Sequence, residues 1–540
     1  MCDARRTLLR SDQSFFGADD MAQMLAFLQG CQLLMKRFCQ RIALVVSMLL
    51  FAGCHVPGYE ERVGGATRTR ETLQEETRVF FETNGVALTL AESMELARSR
   101  TLKLTQAQLN SQLAQVQRST AFAAFLPQIE ATFQRQATDV PVKRSIGAMT
   151  VQMNDQYVNT TSIVLTQPIF TPGTWLLFTE AKKALRSQEL LRGRAEELLD
   201  VQVAALFYQA AVAEKMLGTY ERQQEASLVL SKQINALAQE GYALAAEKAR
   251  ASARLAADKL SLRQANDVLA LTRARLFEIL RFWPLETIKV DGNSMTDVLA
   301  RDWVLTGERG EARRVPRDQV KTLSTEELLW QTLVNRKELW AGDQMIEIRK
   351  IEVLRALADF LPNFYGSGSA NYTSESMQLP ARYWAGGLSA VLSVFDGFQT
   401  VNAYREAKAL RQAEYQAQED RALTLIVATF EAHQNWLRSF EQRDVSACLL
   451  QAAELDYQVT QSRYQSDQET LSEVLDKLAV LENARVQGVA ADFACALAEI
   501  VLRDATGVGL GETRVMEKES ADAFRKEGLL DGILNDRKQK

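Results

Sequence analysis

Two histidines, His55 and His433, serve all 540 residues. A zinc site built on imidazoles needs several such ligands, and a Ser–His–Asp triad needs one beside a nucleophile. His433 lies in the run Leu423, Ile426, Phe430, His433, Leu437 and Phe440, which steps by three and four like a coiled-coil seam. It therefore reads as a partly buried interhelical residue rather than a ligand or a pH sensor. No P-loop, glycine-rich nucleotide fingerprint or nucleophile elbow is present, so nothing positive supports an enzyme. The chain has 63 basic and 68 acidic residues, a net charge of −5, and so no field for holding nucleic acid. Carboxylates remain. Glu473 and Asp476 are three apart and share one helix face, which on spacing alone is a solvated surface.

Residues 42–53, IALVVSMLLFAG, form an apolar run of twelve. A bilayer-crossing helix needs about 20, and twelve suits the core of a signal peptide. Lys36, Arg37 and Arg41 supply the positive flank, so 35–53 reads as the signal peptide and 1–34 as an extension upstream of the true start, Met35. The run ends Leu50-Phe51-Ala52-Gly53-Cys54, which resembles a bacterial lipobox with Phe51 in place of the usual leucine. That resemblance implies a lipidated Cys54 as the mature N-terminus; the alternative is an ordinary secretory signal with an incidental cysteine. His55 stands where an inner-membrane retention signal has aspartate, which implies sorting to the outer membrane. Beyond Cys54 only Cys448 and Cys495 follow. Read as members of one helix they are about 70 Å apart and unable to pair.

The elements that must carry these residues are helical. The chain has only 9 prolines, with none between Pro172 and Pro284 or after Pro380. Proline breaks helix interiors, and both stretches are rich in Ala, Leu, Gln, Glu, Arg and Lys. Leu471, Val474, Leu478 and Leu481 give a second a/d seam. The chain also repeats itself. Helical runs at 87–126 and 324–361 end in Leu126-Pro127 and Leu361-Pro362, 235 positions apart. Alternating segments follow: Ile129, Ala131 and Phe133; Ile163, Leu165 and Ile169; then Leu388, Ala390, Leu392 and Val394. Each copy thus offers two strands joined by a polar loop, at about 139–156 and 374–381. Tyr365, Tyr372, Tyr383 and Trp384 suit an aromatic girdle at a membrane interface, although a soluble hairpin would use similar strands. Long helical hairpins follow, with tips at Gly241 and Asp467.

Helix, Leu-Pro, two strands and a long hairpin, all twice, resemble the TolC-like outer-membrane efflux proteins over about residues 87–510. The resemblance implies a mainly α fold with a membrane β-barrel: a homotrimer whose strands close one barrel and whose helices form a long α-barrel through the periplasm. It implies the exit duct of a tripartite efflux or type I secretion system, passive and without cofactor apart from lipid on Cys54, docking a periplasmic adaptor and an inner-membrane pump. The alternatives are a periplasmic adaptor, which would carry one hairpin, and a coiled-coil envelope lipoprotein without a pore. Arg463-Tyr464 to Val474-Leu475-Asp476 is similar to the family's tip motif, with Asp467 where the family has glycine and Glu469 where some members carry a locking arginine. By that alignment Glu473 and Asp476, with Glu247 from the first hairpin, ring the pore constriction and attract cations. Gly241, Arg463, Tyr464 and Asp467 form the adaptor-docking tip. The organisation expected is a signal peptide to 53, a lipidated linker at 54–86, repeat one at 87–283, an equatorial linker at 284–323, repeat two at 324–510 and a mobile tail at 511–540.

Overall fold

The computed structural model describes residues 58–84, 87–140, 143–146, 149–152, 155–284, 289–290, 302–307, 311–376, 378, 380–466 and 468–510. The signal peptide, Cys54, Asp467 and the tail lie outside the described residues. The chain divides into two units, 1–75 and 76–540. Of the first, residues 58–75 are described, and from Tyr59 they are helical: helix α1 runs Tyr59–Asn84, within the stretch expected to be a linker. All that follows concerns the second unit.

Four helices, matched in length, and a strand pair occur twice. The first set is α2 (Leu90–Arg100), α3 (Leu102–Ala123), a strand pair, α4 (Pro172–Gln239) and α5 (Ala245–Leu280). The second is α6 (Thr325–Asn335), α7 (Lys337–Ala358), a strand pair, α8 (Gln399–Gln465) and α9 (Leu471–Ala505). Helix α4 has 68 residues and α8 has 67, each about 100 Å long. Local chemistry recurs at the same spacing. Thr89 opens α2 by accepting from the Glu92 N–H, and Ser324 opens α6 by accepting from the Glu327 N–H, the same cap 235 positions on.

The runs 87–126 and 324–361 are not single helices, contrary to the sequence reading. A two-residue strand, β1 (Ala87–Leu88), precedes α2, and the backbone is extended at Thr101 and at Arg336, again 235 apart. At Arg336 the break has a visible reason. Its buried guanidinium donates to the Asp504 carbonyl at 2.7 Å and to Glu338 at 2.9 Å. Arg194 of α4 reaches the same Glu338 at 2.7 Å and Asp504 at 3.0 Å. The repeats are thereby joined by two buried arginines paired with half-buried carboxylates, a group in which removing one partner is far more costly than the pairing is favourable.

The strands are β2 (Gln128–Ala137), β5 (Tyr157–Phe170), β9 (Asn363–Thr373) and β10 (Arg382–Val391). They form one antiparallel sheet in the order β10-β9-β5-β2. The connection 138–156 holds an additional hairpin, β3 (Lys143–Ile146) with β4 (Met149–Gln152), where the sequence suggested only a polar loop. In the segment 284–323, expected to be a linker, β6 (Lys289–Val290) pairs with β1, and β7 (Trp303–Thr306) pairs with β8 (Ala312–Val315). Trp303, fully buried, seats the latter hairpin on Trp436 of α8 and Leu502 of α9.

The helical seams follow a seven-residue period. Buried positions are Ala432, Ser439, Ser446, Ala453 and Thr460 on α8, and Ala251, Asp258, Ala265 and Thr272 on α5. Small side chains at these positions let the helices approach closely, and a strict heptad imposes a left-handed supercoil. Leu471, Val474, Leu478 and Leu481 are all buried as expected. The first expected seam is only half right: His433 is buried, but Leu423 and Phe430 are exposed, because the inward stripe of α8 runs through small residues that a search for large apolar ones passes over. Cys448 and Cys495 are free, as expected, but not because they share a helix. The tip turn separates them onto α8 and α9.

His433 packs beside Trp436 with its Nδ1 3.3 Å from Thr325 Oγ1, and burial pushes its pKa below the usual 6.5. The unfolded chain therefore binds the proton more readily, so stability is full above about pH 6.5 and falls as the pH drops through the window below it. Thermal unfolding in detergent should show a midpoint that declines as the pH falls below 6.5, and His433→Gln should flatten that decline.

Candidate functional site

Two features could act: the hairpin tips and the sheet. At the first tip Gly241 has φ +82°, a left-handed turn that only glycine adopts without cost, and the Tyr242 N–H closes it onto the Leu237 carbonyl at 2.8 Å. Glu247 is half-buried, and its carboxylate accepts from the Leu244 N–H at 2.9 Å, which commits one oxygen to starting α5. At the second tip the Gln468 N–H bonds the Arg463 carbonyl at 2.9 Å, and the Arg463 guanidinium lies 3.6 Å from Glu469. Thr470 caps α9 by accepting from the Glu473 N–H.

Glu473 and Asp476 are exposed, and among the described residues neither carboxylate is hydrogen-bonded or ion-paired. Lys477, next in line, bonds Asp456 at 2.9 Å, and that bond holds its pKa above the usual lysine value, with Glu473 adding to the effect. Tyr464 is half-buried against a cluster of Ile234, Ala251 and Leu471, so it joins the two tips by packing. Arg250 of the first hairpin bonds Ser472 of the second at 3.2 Å, and Arg254 pairs with Glu482. The structure thus brings Glu473, Asp476, Arg463 and Tyr464 to one tip and Gly241 and Glu247 to its neighbour.

The sheet has two chemically distinct faces. Residues opposite each other in an antiparallel pair share a face. Register puts Ile129, Ala131 and Phe133 with Leu165, Ile163 and Thr161, and continues through Gly368, Ala370 and Tyr372 to Gly386, Trp384 and Arg382. The other face carries Glu130, Thr132 and Gln134 with Val164, Ser162 and Thr160, then Ser369, Asn371 and Thr373. On it Ser162 donates to Asn371 at 2.8 Å. Tyr365 and Tyr383 fall on this polar face, so only Tyr372 and Trp384 of the four expected girdle aromatics sit on the apolar one.

Every strand meets its helix at the same end of the sheet. Helices α3 and α5 pack on α4, α4 packs on α7 and α9, and these pack on α8. One flank of this row is therefore α3 and α5 with strand edge β2; the other is α8 with strand edge β10. Both flanks expose apolar stripes: Leu102, Leu109, Leu113 and Val116 on α3, and Leu423, Val427, Phe430, Val445 and Leu449 on α8. The sequence reading missed these flanks, although the a/d spacing of Leu109, Leu113 and Val116 was there to find. No helix among the described residues is long and apolar enough to cross a membrane.

Comparison with known proteins fits this geometry. Residues 328–508 match the family described as outer membrane efflux protein. This stretch is similar to an outer membrane efflux protein domain. Its fold extends through most of the chain. The outer membrane protein VceC of Vibrio cholerae superposes with a TM-score of 0.63 at 16% identity, covering 78% of this chain and 97% of its own. The CmeC outer membrane channel of Campylobacter jejuni gives 0.63 at 14%, covering 80% and 88%. The open MtrE outer membrane channel of Neisseria gonorrhoeae gives 0.62 at 17%, covering 78% and 89%. No curated protein matches the chain.

The Thr470 cap fixes the helix that presents Glu473 and Asp476. Thr470→Ala should cost about 1 kcal/mol of local stability, read as roughly fivefold faster hydrogen exchange at 471–475 with little change at 481–500.

Proposed function

We propose that this chain is one protomer of an outer-membrane exit duct, conducting substrates passively from an inner-membrane pump that docks through a periplasmic adaptor. The observation that carries this is the coincidence of flanks: among the described residues, each side of the protomer presents an unpaired strand edge and an unpartnered apolar helix stripe together. Lipid offers no hydrogen bonds to an open edge, so β2 of one copy pairs with β10 of the next until the ring closes. The strands, of 10, 14, 11 and 10 residues, have the length of tilted membrane-spanning strands. Three copies give a barrel of about twelve strands, apolar outside and polar within. A periplasmic adaptor is not favoured, because this chain has two long hairpins with strands before each.

In this reading Cys54 carries lipid in the outer membrane, and the hairpin tips form the periplasmic mouth. Glu473 and Asp476 ring that mouth with Glu247 behind them, and Gly241, Arg463, Tyr464 and Asp467 lie where an adaptor docks. Detergent-extracted protein should have three times the protomer mass, each chain starting at Cys54 and bearing acyl groups that Cys54→Ser lacks. A monomer soluble without detergent would remove the duct, and an unmodified Cys54 would remove the anchor. In a planar bilayer, Glu473→Gln/Asp476→Asn should lose cation preference and become less sensitive to block by multivalent cations. If both properties survive, the pair is a solvated helix face and Glu247 is the next candidate for the constriction.

A further inference from the structure

The apolar face of the sheet is not apolar to its end. At the end away from the helices it carries Arg135 of β2 and Arg382 of β10, each lying over a tyrosine of the adjacent strand. The Arg135 guanidinium is 5.9 Å from the centre of the Tyr157 ring, and that of Arg382 is 5.4 Å from Tyr372. Register places all four side chains on the same face as Ile163 and Phe133. Both arginines are exposed, and among the described residues neither has a carboxylate partner. The carboxylates of this end sit elsewhere. Asp139, Asp155 and Glu375 lie in the connections beyond the strands, with Asp155 accepting from Ser376 at 2.9 Å, and Glu130 is at the opposite, helix-proximal end of β2 and on the polar face.

A guanidinium at the margin of a lipid-facing surface is held there at a cost unless an anion offsets it, and depth in the membrane sets that cost. Tyrosine faces help to hold the cation at the headgroup level, where tyrosine itself is favoured. The guanidinium fork matches phosphate oxygens in pairs, leaving the ring stacked on its other side.

We propose that Arg135 and Arg382 bind the phosphate of an anionic lipid headgroup in the outer leaflet of the membrane. The inference rests on the duct reading given above. It also makes the site composite. Arg135 belongs to edge strand β2 and Arg382 to edge strand β10, so closing the ring brings the arginine of one copy and that of its neighbour to the distal end of the same seam. The lipid phosphate then bridges two protomers and favours the closed ring.

The test uses the full-length assembled protein in detergent micelles doped with phosphatidylglycerol, with phosphatidylcholine, or with inorganic phosphate alone. The readout is the temperature at which the assembly dissociates, alongside planar-bilayer conductance of the same samples. Phosphatidylglycerol should raise the dissociation temperature of the wild type, while phosphatidylcholine and inorganic phosphate should not. Arg135→Gln and Arg382→Gln should each weaken the lipid effect about tenfold in apparent affinity, and the double variant should abolish it. Arg135→Lys should recover part of it. An equal shift in the double variant, an equal shift with phosphatidylcholine, or the same shift from inorganic phosphate overturns the site. If the wild type conducts but shows no lipid effect, this inference fails while the duct stands; if it forms no conducting oligomer, the duct reading itself fails.

Discussion

Backbone hydrogen bonding at two strand edges sets the terms for everything else. A four-stranded sheet leaves the outward N–H and C=O groups of β2 and β10 without strand partners among the described residues. Water would satisfy them, but the sheet's broad apolar face is fit for hydrocarbon, where each unpaired group costs several kcal/mol. The remaining architecture is consistent with edges that must find each other. The helices that lead into β2 and out of β10 stand on the flanks below those edges, and they carry the apolar stripes that a neighbour would cover.

Within the chain, cohesion comes from two sources of different character. Along the helices it comes from seven-residue repeats of small side chains, which gain by close approach rather than by large buried residues. Where the two repeats meet it comes from a few large groups. Trp303 anchors the linker hairpin, and Arg503 lies over its ring at 5.1 Å while pairing with Glu499. Arg194, Arg336, Glu338 and Asp504 knit the two repeats. The helices are thus free to be long because the middle of the molecule is locked.

Much of this was legible in the residues. Prolines at 127 and 362, the proline-free stretches and the alternation around Ile129 and Ile163 were enough to lay out both repeats and the first strand pair, whereas the alternation read through Leu392 and Val394 overruns β10, which ends at Val391. The breaks at Thr101 and Arg336 were not, because Arg336 departs from helical backbone for the sake of partners, Asp504 among them, far away in sequence. The inward stripe of α8 was hidden because alanine, serine and threonine carry little weight in a hydrophobic pattern. The tip carboxylates were findable by alignment, but Glu247 turned out to spend its charge on a helix start, a role that spacing alone does not reveal. Which aromatics face which side of the sheet required the register, since a one-residue difference moves a side chain across it.

Strand direction has a consequence for assembly. Strand β2 leads away from the helices and β10 leads back toward them. Joining β2 to β2 across a twofold axis in antiparallel fashion would send the two helical bundles to opposite ends of the sheet, and joining β10 to β10 would do the same. Among antiparallel junctions, the β2–β10 one keeps every bundle on one side. Polarity of the backbone therefore disfavours an antiparallel back-to-back dimer without any clash or like-charge repulsion, and under the proposed duct a head-to-tail ring is the antiparallel arrangement in which all copies point the same way.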